Sequence, residues 1–139
     1  MSGAEVFIDT NVLVYLLSGD AEKADRAEEL IADGGVISVQ VLNEFASVAS
    51  RKFGMTWSEI REILDTVRAL CRTERLTVET HDCGLGISER YGFAIYDSMI
   101  IAAALAGCAS LLSEDFQDGQ QLEGQLIVRN PFRTQSRAE

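Results

Sequence analysis

Val6-Phe7-Ile8-Asp9-Thr10-Asn11-Val12-Leu13 is the stretch from which the rest of the chain is read. Val6 to Ile8 form an apolar run that suits a buried strand. Asp9 closes that run, and Val12 to Leu17 reads as helix, so a carboxylate stands where a strand turns into a helix. Three more carboxylates punctuate the chain in the same way. Glu44 follows the run Val36-Ile37 within Ser38-Val39-Gln40-Val41-Leu42-Asn43-Glu44-Phe45. Asp97 opens the helix-like segment that holds Ile100 to Ala106, and Asp115 ends the run Leu111-Leu112-Ser113-Glu114.

Apolar periodicity places strands near Glu5-Asp9, Val36-Ser38, Leu76-Val78, Ser110-Ser113 and Leu126-Arg129. Helices are expected over Val12-Leu17, Ala21-Ala32, Val39-Phe53, Trp57-Arg72, Thr80-Tyr91 and Asp97-Ala106. Strands and helices alternate, which argues for an α/β fold on a mainly parallel, five-stranded sheet. Asp20 suits the cap of the second helix. Thr56-x-x-Glu59 has capping-box spacing and marks a fresh helix after Gly54, so the third and fourth helices form a hairpin. Asp33-Gly34-Gly35 and Ala106-Gly107 supply turns before the second and fourth strands.

With 139 residues and 47% hydrophobic content the chain suits one domain, expected over 1–133, followed by a loose polar tail at 134–139 after the sole proline, Pro131. No stretch approaches the roughly 20 apolar residues of a membrane span, and Met1 to Glu5 lacks the features of a signal peptide. A soluble, cytoplasmic protein is the expectation. Cys71, Cys83 and Cys108 have neither disulfide nor zinc-site spacing and read as structural, reduced thiols. The single histidine, His81, leaves little material for imidazole chemistry.

In an open parallel sheet, ligands gather beyond the carboxyl ends of the strands. Asp9 and Asp115 belong there, and Glu44 and Asp97 lie near helix starts that lead to the same crevice. Two carboxylates about 4 Å apart repel by roughly 4 kcal/mol at an effective dielectric of 20. A convergent set therefore needs a cation, a proton or an arginine. All-oxygen ligation without histidine or cysteine suits Mg²⁺ or Mn²⁺, and such a site hydrolyses phosphodiesters. Each residue also has a plainer reading. Asp9 and Asp97 are each placed to cap the helix that follows. Glu44 resists that reading, because Val41, Leu42, Phe45 and Val48 surround it with an apolar stripe. Thr10, Asn11, Ser38 and Ser113 are candidates to orient the carboxylates, or else serve local caps and turns. Glu114 and Asp118 are each either an accessory ligand or a solvated loop charge, with Asp118 the favoured second contributor beside Asp115.

Taken in order, Val6 to Leu13, Ser38 to Phe45, Tyr96 to Ala104, Leu111 to Gly119 and Asn130-Pro131-Phe132 resemble the PIN-domain family, and within it the VapC-type ribonuclease toxins of toxin–antitoxin pairs. The resemblance spans nearly the whole chain. It implies a three-layer α/β/α sandwich, a Mg²⁺- or Mn²⁺-dependent endoribonuclease, and a homodimer restrained by an antitoxin with a basic C-terminal segment. The acidic set carries over onto Asp9, Glu44, Asp97 and Asp115, and Ser113 matches the hydroxyl residue common ahead of the fourth acid. Phe116 departs from the aliphatic residue frequent at its position, which bears on packing.

A net charge of −10 is an unusual balance for a nucleic-acid partner. Bound divalent cations reverse the sign of the field locally. Arg61, Arg68 and Arg72 fall near one face of the expected fourth helix and are candidate RNA contacts; the alternative is a solvated face paired with Glu62, Asp65 and Glu74. Arg51 and Lys52 complement a helix dipole. Two other functions compete. A phosphatase also places an aspartate after its first strand, but position 11 is Asn and no lysine follows Lys52. A non-catalytic binding module would use the same acidic crevice to accept an arginine-bearing partner. Gly84-Leu85-Gly86 lacks the third glycine of a dinucleotide-binding turn.

Overall fold

The computed structural model describes residues 5–132, and the tail expected at 134–139 lies outside them. Strand β1 (Glu5–Ile8) stops at Asp9, whose extended backbone and side-chain bond to the Thr10 N–H at 2.7 Å start helix α1 (Thr10–Val14). A 3-10 turn, Tyr15–Leu17, follows directly. Asp20 accepts from the Lys23 N–H at 3.2 Å and opens α2 (Ala21–Ala32). Strand β2 (Val36–Ser38) is buried throughout and leads into α3 (Val39–Phe53). Gly54, at φ 61°, ends α3 in a left-handed conformation that glycine adopts without steric cost. The Thr56–Glu59 capping box is fully formed and begins α4 (Trp57–Leu70).

Then come β3 (Arg72–Glu74), α5 (Val78–Tyr91), α6 (Ile95–Leu105), β4 (Cys108–Leu112), β5 (Gln121–Leu122) and β6 (Leu126–Arg129). The sheet runs in the order β3-β2-β1-β4-β6-β5. All its neighbours pair in parallel except β5 and β6. Helices cover this mainly parallel sheet in a three-layer α/β/α arrangement. The chain winds outward from β1 through β2 to β3, then returns to β4 on the other side of β1. That reversal makes the carboxyl ends of β1 and β4 a switch point, where a crevice opens.

Several expected boundaries shift. The third strand is Arg72–Glu74 and not Leu76-Val78: Leu76 and Val78 are 43% and 71% exposed, and Thr77 between them caps α5. Helix α4 ends at Leu70 because Cys71 is already extended (φ −118°, ψ 143°), so Arg72 belongs to a strand. Helix α6 begins at Ile95, two residues before Asp97, on Ala94, which offers no side-chain cap. The sheet has six strands where apolar periodicity predicts five, the addition being the two-residue β5.

Phe7, Ile37, Phe45, Ile101, Leu111 and Leu126 are fully buried in one core cluster. Burying each such side chain contributes roughly 1.5–3 kcal/mol. Phe7 and Leu111 are the penultimate residues of β1 and β4, and Phe45 adjoins Glu44 on α3, so the core reaches the elements that carry the acids. Helices α5 and α6 pack closely: a Cβ on Gly84 would meet the Met99 Cε at 2.5 Å, and the Ser88 hydroxyl donates to that of Ser98 at 2.7 Å. No helix among the described residues is long and apolar enough to cross a membrane.

The three cysteines are free, with Cys71 and Cys108 buried and Cys83 exposed. Burial pushes the Cys108 thiol up to about 11. A maleimide at neutral pH is therefore expected to label one thiol rapidly in the folded protein, at Cys83, and all three after denaturation. Peptide mapping that finds Cys108 labelled as fast as Cys83 would contradict the fold.

Candidate active site

Asp9 lies at the carboxyl end of β1 and is only 3% exposed. Beyond its bond to the Thr10 N–H, it accepts from the Ser113 hydroxyl at 2.7 Å and from the Asn11 amide at 3.3 Å. Ser113, just past β4, accepts in turn from Asn11 at 3.2 Å and from the Asp115 N–H at 3.0 Å. The Asp9 N–H donates to the Leu112 carbonyl at 3.0 Å. The ends of β1 and β4 are thus laced together around one hydroxyl. Glu44 joins from α3, where one oxygen accepts from the Thr10 hydroxyl at 2.6 Å and the other from the Gln40 amide at 2.9 Å. Thr10 consequently links the two acids, one through its backbone and one through its side chain.

Burial is the main cause that raises the Asp9 carboxyl to about 7. The Ser113 and Thr10 hydrogen bonds oppose it, and the charges of Asp115 and Glu44 add to it. Asp97, half-buried in the first turn of α6, is also raised, first by burial and then by Asp115 and Glu44. Asp115 and Glu44 therefore lie within electrostatic reach of both Asp9 and Asp97. The partners holding Asp9 and Glu44 are neutral donors, and no ion pair among the described residues involves any of the four. As the side chains stand, no three histidine, cysteine or acidic groups among the described residues are close enough to hold a metal ion.

A cleft of about 810 Å³ opens over Glu44 and Asp115. Its lining includes Tyr96 and, on α3, Gln40, Arg51 and Lys52. Sequence reasoning misses Gln40, although its four-residue spacing from Glu44 places both on one helix face. The same spacing, continued, reaches Lys52, and Arg51 lies seven residues from Glu44 on the same helix. Glu114 is held by the Tyr15 hydroxyl at 2.8 Å and Lys23 at 3.4 Å, and its N–H donates to Asn11. Asp118 accepts from the Asn130 N–H at 2.8 Å. Ser38 caps α3 through the Val41 N–H.

The basic stripe expected on α4 is divided. Arg61 and Arg68 line a separate groove with Leu42, Ala46 and Trp57. Arg72 bridges Glu5 and Glu74, which pushes its pKa up. It fastens the edge of the sheet instead of joining a helical stripe.

The sequence matches the family model of the PIN domain over residues 6–117. The chain belongs to the PIN domain family. No curated protein matches it in sequence. Among solved structures, this PIN domain is similar to the toxin–antitoxin complex from Klebsiella pneumoniae, at TM-score 0.68 and 20% identity, covering 93% of this chain and 99% of that one. It is similar to VapBC2 from Rickettsia felis bound to a promoter DNA fragment, at TM-score 0.65 and 20% identity over 90% and 97% of the two chains. VapC20 from Mycobacterium tuberculosis, described as a toxin that cleaves the sarcin–ricin loop, gives TM-score 0.63 at 20% identity over 79% and 91%. At these identities the likeness establishes the shared fold, in which the expected VapC-like PIN architecture is met.

Proposed function

We propose that this PIN domain is a Mg²⁺- or Mn²⁺-dependent endoribonuclease and acts as the toxin of a toxin–antitoxin pair. One observation carries the proposal. Acids from separate elements, Asp9, Glu44, Asp97 and Asp115, interact electrostatically at the switch point, and the hydrogen bonds that hold the buried Asp9 come from neutral donors. A carboxyl that burial raises to about 7, with neighbouring acids adding to the rise, suits a site completed by a cation.

Those four acids would hold the ion, with Asp118 a further candidate. The all-oxygen set suits Mg²⁺ or Mn²⁺ better than a softer metal. A bound ion supplies Lewis acidity toward a phosphodiester and lowers the pKa of an attacking water. The chain's own residues supply orientation. Thr10 and Gln40 fix both oxygens of Glu44, while Ser113 and Asn11 hold Asp9 toward the end of β4.

The proposed antitoxin carries a basic segment, and a chain of net charge −10 favours such a partner. The proposal also takes the toxin to be a homodimer. Support for the pairing comes from the solved relatives, which include toxin–antitoxin complexes.

The deciding experiment incubates the purified chain with RNA in Mg²⁺, Mn²⁺ or EDTA and maps the ends produced. Internal cleavage that requires the metal is expected. Undiminished cleavage in EDTA would overturn the proposal, and tight binding of an arginine-rich peptide without any metal binding would favour the non-catalytic module.

A further inference from the structure

We propose that Tyr96 is a base-stacking platform that holds the nucleobase of an unpaired nucleotide beside the acids, while Arg51 and Lys52 hold phosphates farther along α3. This inference rests on the ribonuclease reading and specifies the form of RNA that the cleft takes.

The three tyrosines of the chain differ sharply in their surroundings. The Tyr15 hydroxyl bonds Glu114 and Lys23, and its ring packs edge-on against Phe132 at 4.6 Å. The Tyr91 hydroxyl is shared between the Glu123 carboxylate and N–H, and its ring stacks on Phe93 at 5.4 Å. Tyr96 has no such hydrogen bond or ring contact among the described residues, and it is 63% exposed. It nevertheless lines the acid cleft and immediately precedes Asp97 in the first turn of α6. An open aromatic face in a cleft suits a flat, apolar partner that has a π-face of its own.

The cations are sorted in the same way. Lys23, Arg26, Arg72 and Arg90 each pair with a carboxylate. Arg51, Lys52, Arg61, Arg68, Arg75 and Arg129 have no ion pair among the described residues, and of these Arg51 and Lys52, both exposed, line the acid cleft, in a chain with 22 acidic and 12 basic side chains. Among the described residues the one side-chain bond of Arg51 is to the Ser47 hydroxyl, at 3.0 Å. Gln40, Glu44, Ser47 and Arg51 recur at helical spacing, so one face of α3 runs from acid to cation. Glu44 and Arg51 are separated by about 10 Å along the helix axis, a distance that a short strand of nucleotides spans.

This combination selects the occupant. Bases within a duplex stack on one another and present no free face, whereas unpaired bases splay onto aromatic side chains. A basic peptide would also find Tyr96 attractive through cation–π attraction, but Arg51 and Lys52 repel it at the other end.

The test measures binding by fluorescence anisotropy in Mg²⁺, using the full chain in an Asp115→Asn background that holds back cleavage. The probes are an unstructured oligoribonucleotide, the same sequence in a blunt duplex, and an arginine-rich peptide. Tyr96→Ala is expected to weaken single-strand binding by roughly 10- to 100-fold, the range of one base–aromatic stack, while Tyr96→Phe retains binding. Removing Arg51 or Lys52 should reduce the log–log salt slope by about 0.7 for each phosphate no longer neutralised; Tyr96→Ala should leave it unchanged. One abasic position in the probe should erase the difference between the parent and Tyr96→Ala. Equal binding by Tyr96→Ala, equal binding of the duplex, or a loss confined to the peptide would each overturn the inference. If the parent chain cleaves RNA while Tyr96→Ala is indifferent, the inference alone falls; if it binds no RNA at all, the ribonuclease reading falls with it.

Discussion

Asp9→Asn is expected to abolish metal-dependent RNA cleavage, lowering kcat by roughly 10³-fold or more, a barrier increase of about 4 kcal/mol. The substitution keeps the shape of the side chain and removes its negative charge. One amide oxygen still meets the Thr10 N–H, but an amide NH₂ now faces the Asn11 amide, where a carboxylate oxygen had accepted. Asp97→Asn should have the same effect on rate with less disturbance, since Asp97 is half-buried where Asp9 is fully enclosed. Circular dichroism establishes that each variant folds, and single-turnover cleavage reads the chemical step. Full activity in both variants would be incompatible with the proposed site.

The second large effect is on stability. Asp9 titrates at about 7 in the folded chain, against an ordinary value of 3.8. Between those values the folded state binds the proton more tightly than the unfolded chain. Its stabilising contribution is therefore complete below about pH 4 and is lost as pH rises through 7. At about 1.4 kcal/mol per pKa unit, the loss across that window is on the order of 4 kcal/mol. Asp97 is raised too and works in the same direction. In EDTA the melting temperature should fall between pH 5 and pH 8. Millimolar Mg²⁺ or Mn²⁺ should restore it at pH 8, because saturation at about 100 times Kd contributes roughly 2.7 kcal/mol. Asp9→Asn should flatten the pH profile and blunt the response to metal. A metal-free melting temperature that is level from pH 5 to 8 would show that burial does not burden Asp9 as described.

The parts of this molecule that follow from local chemistry are open to reading from its sequence. Thr56 and Glu59 cap α4 through bonds three residues apart, and Asp20 does the same for α2. Asp9 and Asp115 stand out in the sequence because each follows an apolar run that ends a strand. Elements set by tertiary pairing are not. Strand β3 is Arg-Thr-Glu, a polar edge strand made by register with β2, whereas the apolar Leu76 and Val78 that mimic a strand are largely exposed. Strand β5 exists because Gln121 and Leu122 pair antiparallel with β6. Helix α6 starts on Ala94, which carries no capping group to read. Within the site, Gln40, Arg51 and Lys52 share a cleft with Tyr96 only because α3 and α6 approach the same crevice. No spacing along the chain reports that meeting.

Ser113 uses its single proton on Asp9 and receives two hydrogen bonds in return, from Asn11 and from the Asp115 backbone. Its hydroxyl is fully subscribed. Alanine there would take a hydrogen bond from three groups at once, in the place where the two central strands meet, and loss of activity would be inseparable from a damaged scaffold. A quiet version of the protein, wanted for high-yield expression or for trapping bound RNA, is better made at Asp97 or Asp115, where a carboxylate can be neutralised without loosening that knot.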